Sequence, residues 1–251
     1  MSPLYYTSKW LQPYKHGFFS RQGGSSTGNF RSLNFGISGN DRKNNVDNNR
    51  RFALEALGLN DAHIIFMKQV HSNHVQLVQT RPVKPLEADG MVTDKPGLVL
   101  GILTADCQPI ILTDPVTKIV AAVHAGWKGT LNGIIHNTLS IMMSLGAAKE
   151  NIRGAIGPSI SQDHYEFGGD LREKFIQRYP YANQYFRPTQ SDRFYFDLTG
   201  ITLNIFAESG IHKIERLDLC TYANEELFFS YRRSCHHHEN QFGLNGSIIA
   251  T

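Results

Sequence analysis

Residues 104–127 read TADCQPIILTDPVTKIVAAVHAGW, two apolar runs of strand length folded about Asp114, Pro115, Val116 and Thr117. β-Branched and small residues fill both runs, and Asp and Pro mark the turn, so the stretch predicts an antiparallel hairpin buried on both faces. A four-residue loop of 114–117 sets a register in which Cys107 faces His124 across the ladder, with Cβ atoms about 5 Å apart. A sulfur and an imidazole then meet at one end of an apolar hairpin.

The neighbouring segments extend the sheet. LVLGILT (98–104), entered through the turn at 94–97, is apolar enough for a central strand. HIIFMKQV (63–70) and HVQLVQT (74–80) predict a second hairpin with His71 in its turn. Upstream, the polar stretch at 38–51 feeds a helix capped by Asp47, with Phe52, Ala53, Ala56 and Leu57 on its apolar face and Gly58 at its end. Leu131, Ile134, Ile135, Leu139 and Met142 form one stripe of a core-facing helix that stops at Gly146. A short strand is expected in 151–160 and helices in 170–179 and 197–210. Residues 228–250 read as strand, polar loop, strand. The irregular alternation predicts an α/β (α+β) fold, one domain over 1–251 with a mixed β-sheet core and helices on its faces.

Composition narrows the function. The chain has 251 residues, 41% hydrophobic and 19% charged, as in an ordinary globular protein. It contains no apolar run near the roughly 20 residues of a membrane span and no leader pattern at its start, so a cytoplasmic location is expected. A net charge of +3 is too small to argue for nucleic acid and leaves room for an anionic small substrate. Cys107, Cys220 and Cys235 show no CxxC spacing, which points to thiol or metal chemistry and away from a disulfide framework.

His71 at a turn, Cys107 before a strand and His124 at the end of its partner can converge at one end of a sheet. Two imidazoles and a thiolate are a ligand set of open zinc sites, where bound water has a pKa near about 7. With a distant Met the same set suits copper. A third option is a Cys107 thiolate activated by His124, with Asp106 orienting the imidazole. For substrate, SRQGGSS (20–26) offers Arg21 and backbone N–H groups to an anion. Asn34 and Gln69 offer amides to a base edge. Arg232 and Arg233 lie on opposite faces of a strand, so one of them, taken as Arg233, can clamp an anion. The run His236, His237, His238 reads as a solvated loop.

RQGGSSTGNFRSLNFG, KQVHSNHV, ADGMVTDKPGLVLGILTADCQPIILTD, VAAVHAGWKGTLNGI, AIGPSISQDHYEFGGDL and CTYANEELFFSYRR occur in order from about residue 17 onward. Together they resemble the bacterial laccase-domain family, long labelled polyphenol oxidase and now associated with purine nucleoside phosphorylase activity. The resemblance implies a single-domain α/β fold and a zinc site at His71, Cys107 and His124. It also implies phosphorolysis of adenosine, inosine and methylthioadenosine to free base and ribose 1-phosphate, with adenosine deamination as a further activity. Its partners are then a purine nucleoside and phosphate. One departure stands out. Where the family commonly reads Arg-Arg-Asp and then Thr-Gly-Arg, this chain has RRSCHHHENQFG and no basic residue near Gln241.

The alternatives are a cysteine-dependent amidase or hydrolase using Cys107 and His124, a copper-dependent polyphenol oxidase, and a structural clamp. A multicopper oxidase needs about ten histidines, largely in His-x-His pairs. The chain has 11 histidines, and His-x-His occurs only within 236–238. That leaves room for one copper and none for a trinuclear cluster.

Overall fold

Residues 2–37 and 39–251 are described by a computed structural model; Ser38, at the head of the polar stretch, lies outside them. Two mixed sheets carry the fold. The larger has the strand order β13 (Lys213–Arg216), β9 (Arg153–Ile156), β7 (Gln108–Asp114), β8 (Ile119–Ala125), β5 (Gly90–Thr93) and β4 (Val75–Leu77). The smaller has β1 (Tyr5–Tyr6), β2 (His16–Phe19), β14 (Asn245–Ala250), β6 (Val99–Thr104) and β3 (Ile64–Ile65). A three-stranded antiparallel sheet, β10 (Glu166–Gly168), β12 (Arg193–Phe196) and β11 (Phe186–Pro188), stands apart.

Alternation of side chains along the strands sorts the core into layers. Ile111, Val120, Ala122 and Met91 on one face of the six-stranded sheet pack against Phe18, Leu100, Ile102 and Ile249 of the five-stranded sheet. On its other face Ile110, Leu112, Ala121 and Val123 meet Ile135, Leu139, Phe175, Ile201 and Ile205. These come from α3 (Ile134–Ser144), α4 (Gly169–Arg178) and α5 (Leu198–Glu208). The outer face of the five-stranded sheet is covered by Ala53 and Leu54 of α1 (Lys43–Ala56). The order is therefore helix, sheet, sheet, helices, and the predicted mixed sheet core with helices on its faces is what the chain forms. Among the described residues no helix is long and apolar enough to cross a membrane.

The hairpin of 104–127 forms with a shifted register. Asp114 pairs with Ile119 and Pro109 with His124, so the loop is 115–118 and Cys107 does not face His124 directly. Asp114 decides this. Its carboxylate accepts from the amides of Val116 (2.8 Å) and Thr117 (3.1 Å), which fixes it as the last strand residue, and Lys118 closes the loop at φ 62°. The offset is even, so Cys107 keeps the face it shares with His124.

Four other expectations are corrected. Segments 63–70 and 74–80 do not pair: β3 joins β6 in one sheet and β4 joins β5 in the other, so His71 lies on a crossover between sheets. Helix α1 begins at Lys43, and Asp47 sits inside it paired with Lys43 at 2.7 Å instead of capping it. The stripe at 131–142 is broken by Gly133 at φ 89°, which separates α2 (Trp127–Leu131) from α3. Tyr231–His236 is the short helix α6, not a strand, because the Ser230 side chain caps it by accepting from the Arg233 amide.

His16 of β2 lies buried beneath the N-terminal segment, donating from Nδ1 to the Tyr14 carbonyl (2.7 Å) and accepting from the Ser8 amide at Nε2 (2.9 Å). Both nitrogens are committed to the neutral ring, and burial lowers its pKa below the usual 6.5 against the backbone bonds and Glu215, which raise it. A base depressed in the folded state stabilises fully above its unfolded pKa, and that stability is lost as pH falls below about 6.5. Thermal unfolding of wild type and His16→Gln between pH 8 and 5 should show a smaller acid loss in the variant.

Candidate metal centre

Three chain segments meet at the end of the six-stranded sheet, on the face turned toward its partner sheet. His124 is the penultimate residue of β8, Cys107 immediately precedes β7, and His71 projects from the crossover at φ 59°. Their ligating atoms all lie within 4.8 Å of one another. The two imidazoles stand edge to face, 82° apart, with centroids at 4.8 Å. His124 is buried, Cys107 half-buried and His71 exposed, so the cluster opens outward on the His71 side.

The chain around each ligand is built for this approach. A Cβ on Gly126 would stand 2.8 Å from Cys107 Sγ, so only glycine fits where β8 turns into α2. Asp106 is held at φ 95° by its carboxylate, which accepts from the Thr221 hydroxyl (2.7 Å) and the Arg232 amide (2.6 Å). That conformation is rare for a residue with a side chain and persists only where the surroundings impose it. It aims the next residue, Cys107, at the cluster.

The imidazole is oriented by Asp89 and not, as expected, by Asp106. Asp89 is fully buried at the head of β5, and its Oδ1 accepts from His124 Nδ1 at 2.8 Å. The same carboxylate accepts from the amides of Val70 (3.2 Å), His71 (3.0 Å) and Ser72 (2.6 Å) and from the Ser72 hydroxyl (2.8 Å). One buried group thus orients the His124 ring, turning Nε2 toward the cluster, and anchors the loop that carries His71. Burial works to raise the Asp89 pKa, and the bonds from His124 and Ser72 outweigh it, holding the carboxyl at about 2. Burial likewise works to raise the Cys107 thiol, but the neighbouring His124 and His71 bring it down to about 7. His124 rises to about 9 against its own burial, through the Cys107 charge and the bond to Asp89.

The donor set fits a metal ion. Two imidazoles and a thiolate are the donors of an open zinc site, and here all three lie close enough together to share one ion. Among the described residues this is the one grouping of three such ligands.

The family described as multi-copper polyphenol oxidoreductase laccase matches residues 15–251. The chain belongs to that family. A relative from Deinococcus radiodurans called purine nucleoside phosphorylase is 35% identical over 87% of this chain and 83% of its own. One of the same description from Haemophilus influenzae is 34% identical over 93% of both chains. The crystal structure of YlmD from Geobacillus stearothermophilus shares the fold at a TM-score of 0.91 and 28% identity, covering 100% of this chain and 96% of that one.

The residues expected to touch substrate have the following partners in this laccase-family fold. Asn34 is buried, donating to the Gly36 carbonyl and Asp41 and accepting from the amides of Gly36 and Leu244. Gln69 pairs through both amide atoms with the backbone of Leu103 (2.7 and 2.9 Å), pinning the crossover to β6. Arg233 is buried and donates to the carbonyls of Thr221, Tyr222 and Phe228, so its fork is taken up by the backbone. Arg21 donates to the carbonyls of Arg31 and Glu225 and lies over the Phe229 ring.

The Gly-Ser loop does line an open cavity of about 410 Å³, from Gly23 to Gly28 with Arg31 and Ser32. Its serine hydroxyls donate to Asn45, Asn49, Asp41 and Arg21, and the Asp41 carboxylate beside them opposes an anion. Sequence reasoning missed Asp89, although an acid directly before the strand GMVT, in the segment ADGMV, was its signal.

Asp89→Asn should weaken metal retention about 10- to 100-fold, the usual cost of losing an oriented outer partner. Chelator competition monitored by released metal checks this, with folding verified by thermal unfolding. Gly126→Ala should lower metal content by displacing Sγ while the six-stranded sheet survives, as metal analysis and circular dichroism of the purified variant would show.

Proposed function

We propose that the chain is a purine nucleoside phosphorylase acting on adenosine, inosine and methylthioadenosine, with adenosine deamination as a second activity. The reaction is centred on His71, Cys107 and His124. The observation that carries the reading is this convergent trio beside a buried Asp89, in a chain whose full-length relatives bear the phosphorylase description.

Phosphorolysis breaks the bond between C1′ and the purine N9, and the electron pair leaves with the base. A phosphate oxygen bonds to C1′, and the base takes up a proton. Positive charge builds on the ribose and negative charge on the purine, so the protein must place an oxyanion on one side and relieve charge on the other. A zinc ion, when held by the three ligands, supplies Lewis acidity for the purine side; copper on the same donors is the alternative that metal analysis distinguishes. The chain itself supplies orientation. Asp89 keeps the Nδ1 proton on His124 and fixes the loop of His71, while the exposed edge of His71 leaves the trio open to a nucleoside. Gln69 holds the crossover that carries His71 to β6, and Asn34, Arg21 and Arg233, expected at the substrate, bond to the backbone of their own segments. Free thiols at Cys107, Cys220 and Cys235 suit a reducing compartment, and we assign the activity to the cytoplasm.

Cys107, His124 and Asp89 also stand in the order of a thiol, imidazole and carboxylate triad. A triad has no use for His71, whose ring lies 4.8 Å from that of His124, whereas a metal does. Protein of known metal content incubated with inosine should release hypoxanthine only when phosphate is present. Cys107→Ser and His71→Ala should each reduce that release by about 100-fold or more, as expected when a catalytic metal loses a ligand. Loss with Cys107→Ser but full retention with His71→Ala would instead establish the triad.

A further inference from the structure

Of the two adjacent arginines in FFSYRR, Arg233 is spent on three carbonyls, as described above. Arg232 is different. Successive helical residues point about 100° apart, so in α6 the two side chains diverge, and Arg232 turns toward the strand and helix at 164–167. Its guanidinium carbon lies 5.7 Å from the ring centres of both Tyr165 and Phe167. One terminal nitrogen donates to the His164 carbonyl (3.4 Å) and the other to the Glu166 carbonyl (3.2 Å). Of the five N–H groups of a guanidinium, three are left over, and among the described residues Nε has no protein acceptor.

Its placement ties it to the metal centre. The Arg232 amide is the group that holds the carboxylate of Asp106, the residue directly before Cys107. Tyr165, under the guanidinium, is buried and meets Phe167 edge to face, with centroids at 4.5 Å. Phe167, also under the guanidinium, meets the ring of Trp127, the residue after Gly126, with centroids at 6.3 Å. Among the described residues no carboxylate pairs with this guanidinium, and Asp106 is committed to the Thr221 hydroxyl and to backbone. A half-buried cation without a counter-ion, resting on two aromatic faces, is a site waiting for an anion.

We propose that Arg232, and not Arg233, binds the phosphate co-substrate, presenting its free Nε edge to two phosphate oxygens beside the metal centre. The proposal rests on the phosphorylase reading. It also bears on the absent basic residue near Gln241: a cation reaching this centre from α6 needs no arginine from the later loop.

The test compares wild type, Arg232→Gln and Arg232→Lys. Phosphate-dependent release of hypoxanthine gives KM for phosphate and for inosine, and the shift of thermal unfolding with inorganic phosphate gives binding without turnover. The expected result is a KM for phosphate raised at least about tenfold in Arg232→Gln, with the KM for inosine within about twofold. The phosphate-induced thermal shift of wild type should vanish in that variant. Arg232→Lys keeps the charge without the fork and should fall between; it also carries the test if the glutamine variant does not fold. An unchanged phosphate KM and thermal shift in the variants overturns the proposal while the phosphorylase reading stands. Wild type that releases no base with phosphate defeats that reading, and this proposal with it.

Discussion

A carboxylate taken fully out of water costs several kcal/mol unless its lone pairs are filled. At Asp89 the filling groups come from two other parts of the chain, the loop at 70–72 and His124 at the end of β8. The cost is offset only when all three segments are in place, so the group that stabilises the loop also sets the geometry of the ligands. This is why a loop residue at positive φ and a strand residue from another sheet position can share one ion-sized space. The same buried charge holds the inner nitrogen of His124 and so turns the outer nitrogen toward Cys107 and His71.

The layering explains why the trio sits where it does. Strands β7 and β8 are covered on one face by helices and on the other by the second sheet, so polar groups along their length would be stranded. Only at the strand ends, where the facing sheet gives way to loops, can a thiol and an imidazole be tolerated. The crossover from β3 to β4 passes this end because it leaves one sheet and enters the other, and it delivers His71 on the way. Gly126, where the strand stops, leaves the sulfur its space.

Much of this was legible from periodicity. The continuous apolar runs at 99–104 and 108–125 marked strands buried on both sides, and Gly58, Gly146 and Gly210 marked helix ends where the chain adopts φ of 65°, 100° and 83°. The ligand trio was legible because sulfur and imidazole are scarce in such runs. What failed were features set by long-range partners. Whether 63–70 pairs with 74–80 or with β6 is decided by strands far away in sequence, and local turn residues are silent on it. The hairpin register turned on which residue Asp114 caps, a choice between two loops of equal length. Side-chain type alone was also silent on the backbone bonds that Asn34, Gln69 and Arg233 make with their neighbours. Strand β13, lying parallel to β9, had no sequence signal beyond the alternation in Lys213–Arg216.

The five-stranded sheet has an unusual seam. Strand β14 lies between β2 and β6, bonded to both, although it is separated from them by more than a hundred residues. As a ribosome extends the chain, residues 16–19 and 99–104 emerge early with a gap between them that only residues 245–250 can fill. Until then the edges of β2 and β6 that β14 joins have no strand partner, and they stay open to chaperones or to wrong pairing. Closure of the five-stranded sheet is therefore a late event in the life of each molecule, following the arrival of β14 and not the synthesis of the strands it joins.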